Sequence, residues 1–125
     1  MSVIAIARRY AEALADVATS RNQVDQIDNE VRVFAEMIKS SRELRDTFAT
    51  PIISQSDKLK VLEALIARAK PGQVTASLLR TMLTNYRLQY LPEVYERFRR
   101  EMNERKGMII AEVTTAAEVG AAEQA

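Results

Sequence analysis

From Val3 to Ala18 the positions Val3, Ile6, Ala7, Tyr10, Ala13, Leu14, Val17 and Ala18 recur at steps of three and four, the spacing that lines one face of an α-helix. Ile4, Ala11 and Ala15 add a second stripe of mostly small residues, so this first helix is apolar over more than one face and needs two neighbours. Val24, Ile27, Val31, Phe34, Ala35 and Ile38 repeat the pattern in a second helix, with Asp25, Asp28, Glu30, Arg32 and Glu36 mainly on its other faces. The brief polar link Thr19–Gln23 favours an antiparallel pair of helices. Arg42 to Phe48 offers only Leu44 and Phe48 as anchors, which predicts a third helix of at most two turns before Thr50-Pro51.

Ser54-Gln55-Ser56-Asp57 places a hydroxyl three residues before an acid, an arrangement that satisfies free amides at a helix start. The fourth helix follows, with Leu59, Leu62, Leu65 and Ile66 on its inner face. Lys70-Pro71-Gly72 ends it, the proline blocking continuation and the glycine accepting a reversed backbone. Val74, Leu78, Leu79, Met82, Leu83 and Tyr86 predict a fifth helix. Pro92, suited to the first position of a helix and unsuited to its interior, opens a sixth with Leu91, Val94, Tyr95, Phe98 and Met102 inward. Arg105 and Lys106 put cations near the negative end of that helix, and Gly107 completes it.

After Gly107 the run Met108-Ile109-Ile110-Ala111-Glu112-Val113-Thr114-Thr115 is rich in β-branched residues and lacks helical spacing, which predicts a short β-strand. The alanine-rich tail from Ala116 to Ala125 supplies no second strand to pair with it, and a disordered tail is expected there. The fold class is therefore all-α: a six-helix bundle over residues 1–106, then a strand and tail over 107–125 that begin a second unit. No internal repeat interrupts this plan.

Composition narrows the chemistry. Among 125 residues there is neither cysteine nor histidine, which excludes disulfides, Cys/His metal sites and imidazole bases. No Gly-rich phosphate loop or paired-carboxylate motif occurs either, so no catalytic, cofactor or metal residue is nominated and an enzyme is not expected. Eighteen basic against seventeen acidic residues leave a formal charge of +1, too little for a global field toward DNA or anionic lipid. No apolar run is long enough to span a bilayer, and Met1–Ala7 meets Arg8-Arg9 without the layout of a signal peptide. A soluble, non-secreted chain is expected.

The residues now in hand resemble the delta subunit of bacterial F-type ATP synthase, called the oligomycin-sensitivity-conferring protein in mitochondria. The resemblance covers the whole chain. It rests on Arg9-Tyr10-Ala11-Glu12-Ala13-Leu14, Phe48, Pro51, Lys58, Val61-Leu62, Asn85, Arg87-Leu88, Leu91-Pro92, Phe98, Gly107 and Ala111–Ala116, in order and at matching spacing. It implies a six-helix N-terminal domain and the start of a smaller α/β domain whose remaining sheet and helices are absent before Ala125. It also implies a non-catalytic stator subunit, on the cytoplasmic face of the bacterial plasma membrane, with membrane contact only through the complex.

Two partners follow from the resemblance: the N-terminal helix of a catalytic-head (F1) alpha subunit, and the peripheral-stalk b subunit through the incomplete second domain. Helix-in-groove binding needs an apolar trough, small residues and a few larger anchors. The expected groove residues are Tyr10, Ala11, Ala13, Leu14 and Val17 of the first helix, with Leu78, Thr81, Met82 and Leu83 of the fifth. No cofactor is expected. The rival reading is a small helical nucleic-acid-binding or other helix-binding adaptor module, raised by Arg97, Arg99, Arg100, Arg105 and Lys106. The interleaved Glu93, Glu96, Glu101 and Glu104 oppose it, because alternating charges at helical spacing form a solvated, ion-paired face.

Overall fold

The computed structural model describes the backbone of residues 2–124 and the side chains of residues 2–107. Six α-helices appear among the described residues: α1 Val3–Ser20, α2 Val24–Ser40, α3 Arg42–Ala49, α4 Gln55–Ala69, α5 Gln73–Thr84 and α6 Leu91–Gln124. A single 3-10 turn, Leu88–Tyr90, leads into α6.

Three of the helix starts are set by serine. Ser2, Ser41 and Ser54 accept from the amides of Ala5, Leu44 and Asp57, each satisfying a donor the helix cannot pair internally, a gain of about 1 kcal/mol per cap. The expected start at Ser54–Asp57 is found.

α1 packs chiefly on α6, and α2 also packs on α6. The buried stripe of α1 includes Ala7, Ala11, Ala15 and Ala18, small side chains that permit close helix approach. Around that seam one core gathers Ile27, Val31 and Phe34 from α2, Phe48 from α3, Leu62 from α4, Leu79 and Met82 from α5, and Leu91, Val94 and Phe98 from α6. Polar links fix the helices laterally. Arg105 meets Asp16 at 2.8 Å and Glu101 at 3.2 Å, and the Tyr95 hydroxyl donates to Asp28 at 3.2 Å.

Several local expectations are corrected. Leu62 is buried and Leu65 and Ile66 pack against the core as expected, but in the first turn of α4 Leu59 is exposed and its neighbour Lys58 is buried, because a lysine can bury its aliphatic stem while delivering the charge to an edge. At the end of α4 it is Lys70, not Gly72, that takes the left-handed conformation, with φ 50°. Gly72 is extended and lies close to side chains of α2. A Cβ there would come within 2.8 Å of Gln26 Nε2, while its amide donates to Glu30 Oε2 at 2.5 Å and Thr75 Oγ1 donates to Glu30 Oε1 at 2.9 Å. Glu30 of α2 thereby anchors the start of α5. Tyr86, expected on the inner face of the fifth helix, lies beyond its end with φ 60° and is 64% exposed.

The largest correction concerns the end of the chain. α6 does not stop at Gly107 but runs on to Gln124, and no strand occurs among the described residues. The physical reason is backbone pairing: a lone strand leaves its amides and carbonyls unsatisfied, whereas a helix closes its own. Alanine, the best helix former, then favours continuation where a disordered tail is expected from composition. The side chains of 108–125 lie outside the described residues.

Candidate partner-binding groove

The expected groove residues divide by accessibility into a floor and two lips. Ala11 and Leu14 of α1 and Met82 and Leu83 of α5 are buried and belong to the single core. Above them Tyr10 and Leu78 are half-buried, and Ala13, Val17 and Thr81 are exposed. The 3.6-residue repeat explains this division, since Tyr10, Ala13 and Val17 share one edge of α1, while Leu78 and Thr81 share one edge of α5.

One direct bond joins the two lips. Asn85, which follows α5, donates through Nδ2 to the Tyr10 hydroxyl oxygen at 2.8 Å. The Tyr10 ring is thus held in orientation while its own hydroxyl proton is left for another acceptor. Gln55 of α4 donates to the carbonyl of Leu83 at 2.9 Å, pairing one of the last carbonyls of α5. On the outer side Arg80 grips Glu63 by two bonds of 2.6 and 3.0 Å. That guanidinium holds the Glu63 carboxyl below the usual carboxylate range, and Glu63 raises Arg80 in turn. α5 is therefore fixed at its start by Glu30, along its flank by Glu63 and at its end by Gln55.

Sequence reasoning did not nominate Asn85 for the groove. The signal present was a short amide side chain just past the end of the fifth helix. What periodicity lacked was the pairing with Tyr10 across 75 positions.

A well-formed concavity lies on a different face. A cleft of about 630 Å³ opens between the start of α1, the end of α2 and the start of α6, with Val3, Ile4, Ala7 and Ala35 as its apolar wall. Its polar lining mixes Glu36, Glu93 and Glu96 with Lys39, Arg45, Arg97 and Arg100, a balance that selects no charge on a ligand. The basic residues of α6 are mostly engaged. Arg97 pairs with Glu101 at 3.4 Å, Arg100 with Glu104 at 3.3 Å, and Arg105 with Asp16 and Glu101. Asp16 is the main cause of the raised Arg105 pKa.

Among the described residues no cluster of acidic side chains is placed to hold a metal ion, and no helix is long and apolar enough to cross a membrane. The sequence model of the ATP synthase delta (OSCP) subunit family matches residues 6–125. The chain belongs to that family. Curated relatives named ATP synthase subunit delta align over most of it. The protein of Myxococcus xanthus (strain DK1622) is 36% identical over 117 residues, 91% of this chain and 64% of the relative. That of Trichlorobacter lovleyi is 31% identical over 112 residues, 90% of this chain and 62% of its own length. That of Magnetococcus marinus is 33% identical over 110 residues, covering 88% and 60%. The chain spans about three fifths of the length of these relatives. The matched stretch includes the helical bundle with α1 and α5.

Proposed function

We propose that this chain is a non-catalytic stator component of an F-type ATP synthase, whose bundle seats the N-terminal helix of a catalytic-head alpha subunit between α1 and α5. The observation that carries this reading is the accessible apolar edge formed by Tyr10, Ala13, Val17 and Leu78 above a sealed floor. A helix laid there would bury the two lips without opening the core, which is the economy of groove recognition. In this reading residues 107–125 begin the second unit, through which the b subunit of the peripheral stalk is engaged. The mechanical consequence is that the head is held against the torque of an ion-driven rotor, so rotation alters nucleotide sites rather than turning the head. The chain then lies on the cytoplasmic face of the bacterial plasma membrane and meets the bilayer only through the complex.

Co-purification with the catalytic head tests the reading: retention with intact alpha subunits and loss when their N-terminal helix is deleted is the expected result. Equal retention in both cases would remove the groove as the docking site. The nucleic-acid reading is disfavoured by the ion pairs of α6, because cations already neutralised by carboxylates release few counterions from a phosphate backbone. Tight DNA binding with steep salt dependence, together with no affinity for an alpha-subunit peptide, would reverse the preference.

A further inference from the structure

Asn85 closes α5 on a fixed backbone. Its amide donates to the carbonyl of Thr81 at 3.1 Å, and the amide of Arg87 turns back onto the carbonyl of Met82 at 2.8 Å, with Tyr86 between them in the left-handed region. Gln55 of α4 takes up the next carbonyl, that of Leu83. The end of α5 is thus paired without the Asn85 side chain, which instead reaches Tyr10 of α1 at 2.8 Å.

That bond has a direction. Nδ2 donates and the phenolic oxygen accepts, so the O–H of Tyr10 remains a donor, and no group of the described residues accepts it. Of the five lip residues only Tyr10 and Thr81 carry a polar side-chain atom, and Tyr10 is the one held by a bond from the far side of the groove. In the free chain water takes the proton, since Tyr10 is half-buried and Asn85 exposed. A helix laid between the lips displaces that water. A donor then covered and left unpaired costs more than an ordinary hydrogen bond gains, whereas a well-placed acceptor restores the bond. Apolar contacts along a groove are not directional and tolerate a slip of the seated helix, while a fixed donor penalises every register that lacks the acceptor.

We infer, resting on the groove reading, that the Tyr10 hydroxyl, kept as a donor by Asn85, bonds a side-chain oxygen of the helix seated between α1 and α5, and that this directed contact sets the register of that helix. The partner therefore carries an Asp, Glu, Asn or Gln facing the Asn85 end of an otherwise apolar stripe. Asn85 is a positioning residue here: it acts on the partner through the sense of the Tyr10 hydroxyl.

The experiment is calorimetric titration of the 125-residue chain with a peptide of the alpha-subunit N-terminal segment from the same organism. Tyr10→Phe keeps the ring and removes the donor, and is expected to weaken binding roughly three- to tenfold with the melting temperature nearly unchanged. Asn85→Asp is the sharper variant, because a carboxylate accepts and does not donate. The Tyr10 proton then turns inward, the lip bond survives, and affinity is expected to fall by a similar factor. Asn85→Asp should cost nothing further when combined with Tyr10→Phe, whereas repulsion by the new charge alone would persist in the double variant. Each Asp, Glu, Asn and Gln of the peptide is also replaced in turn by Ala. One replacement is expected to weaken binding to the unchanged chain and to have no further effect on Tyr10→Phe. If the peptide binds Tyr10→Phe or Asn85→Asp as tightly as the unchanged chain, or if no peptide position couples to Tyr10, the inference falls while the groove stands. If the peptide does not bind the unchanged chain at all, the groove reading falls and takes this inference with it.

Discussion

The buried stripe of α1 and its outer edge share one periodicity and have opposite fates. Ala7, Ala11, Ala15 and Ala18 are sealed in a helix that packs chiefly on α6. Tyr10, Ala13 and Val17, one helical step away, stay accessible and meet α5 only through the Tyr10–Asn85 bond among the bonds described above. A small-residue stripe thus lets helices approach until no space is left, while an edge of mixed sizes with no helix packed closely on it stays open to solvent. Burial is decided by the neighbour that arrives, not by the apolar character of the residue.

The sealed side breaks with the largest effect. Phe98→Ala should destabilise the chain by about 3–5 kcal/mol through lost burial and a residual cavity, read as a large fall in melting temperature with any loss of peptide affinity following unfolding. On the open side the separation should invert. Tyr10→Asp is expected to weaken alpha-peptide binding by roughly tenfold or more by placing a charge in an apolar trough while leaving most helicity intact, and unchanged affinity by titration calorimetry would take Tyr10 out of the site. Asn85→Ala removes the one bond between the lips. Its expected cost is about 0.5–1.5 kcal/mol, seen mainly in affinity because the Tyr10 ring loses its orientation.

Two titrations sharpen the comparison further, with smaller effects. Tyr95 links α6 to α2, and burial, reinforced by the Asp28 charge, raises its phenol above the ordinary value. The unfolded chain ionises near pH 10 while the folded chain keeps its proton, so stability is full below that pH and falls as pH rises toward the raised pKa. Denaturant titration against pH should show the loss, and Tyr95→Phe should abolish it. Glu63, with its pKa lowered by Arg80, acts oppositely: its contribution is present above the usual carboxylate range and disappears as pH falls through the lowered value. Arg80→Gln should remove that acid dependence, and because the pair is exposed both the dependence and the loss of stability at neutral pH should be small.

Much of the architecture was legible in the sequence because amphipathic spacing and caps are local. The first four helices and the Ser54 start follow from the three-and-four steps of apolar residues and one hydroxyl, and the boundaries differ from expectation by only a residue or two. Local signals failed where a side chain or backbone answered to a distant partner. Leu59 and Lys58 exchange roles because a lysine stem is as good a filler as a leucine when its charge can reach an edge. Gly72 looked like a helix terminator but is extended, and its amide bonds Glu30 of another helix. The run Met108–Thr115 has the residues of a strand, yet strand structure depends on a neighbour, and α6 continues there instead.

The candidate groove divides the same way. Its residue types were visible as apolar positions on the first and fifth helices, and the family resemblance selected those two helices from six. The division into a floor of Ala11, Leu14, Met82 and Leu83 and lips of Tyr10, Ala13, Val17, Leu78 and Thr81 required the packed bundle, since solvent exposure is set by neighbours absent from any local window. By itself the sequence determined the six helices of the bundle, the Ser54 cap, the lack of histidine and cysteine chemistry, and the family. Only the tertiary structure decided that Asn85 holds Tyr10 and that Lys58 lies buried beside Tyr86, because those relations join residues far apart along the chain through contacts that no periodicity encodes.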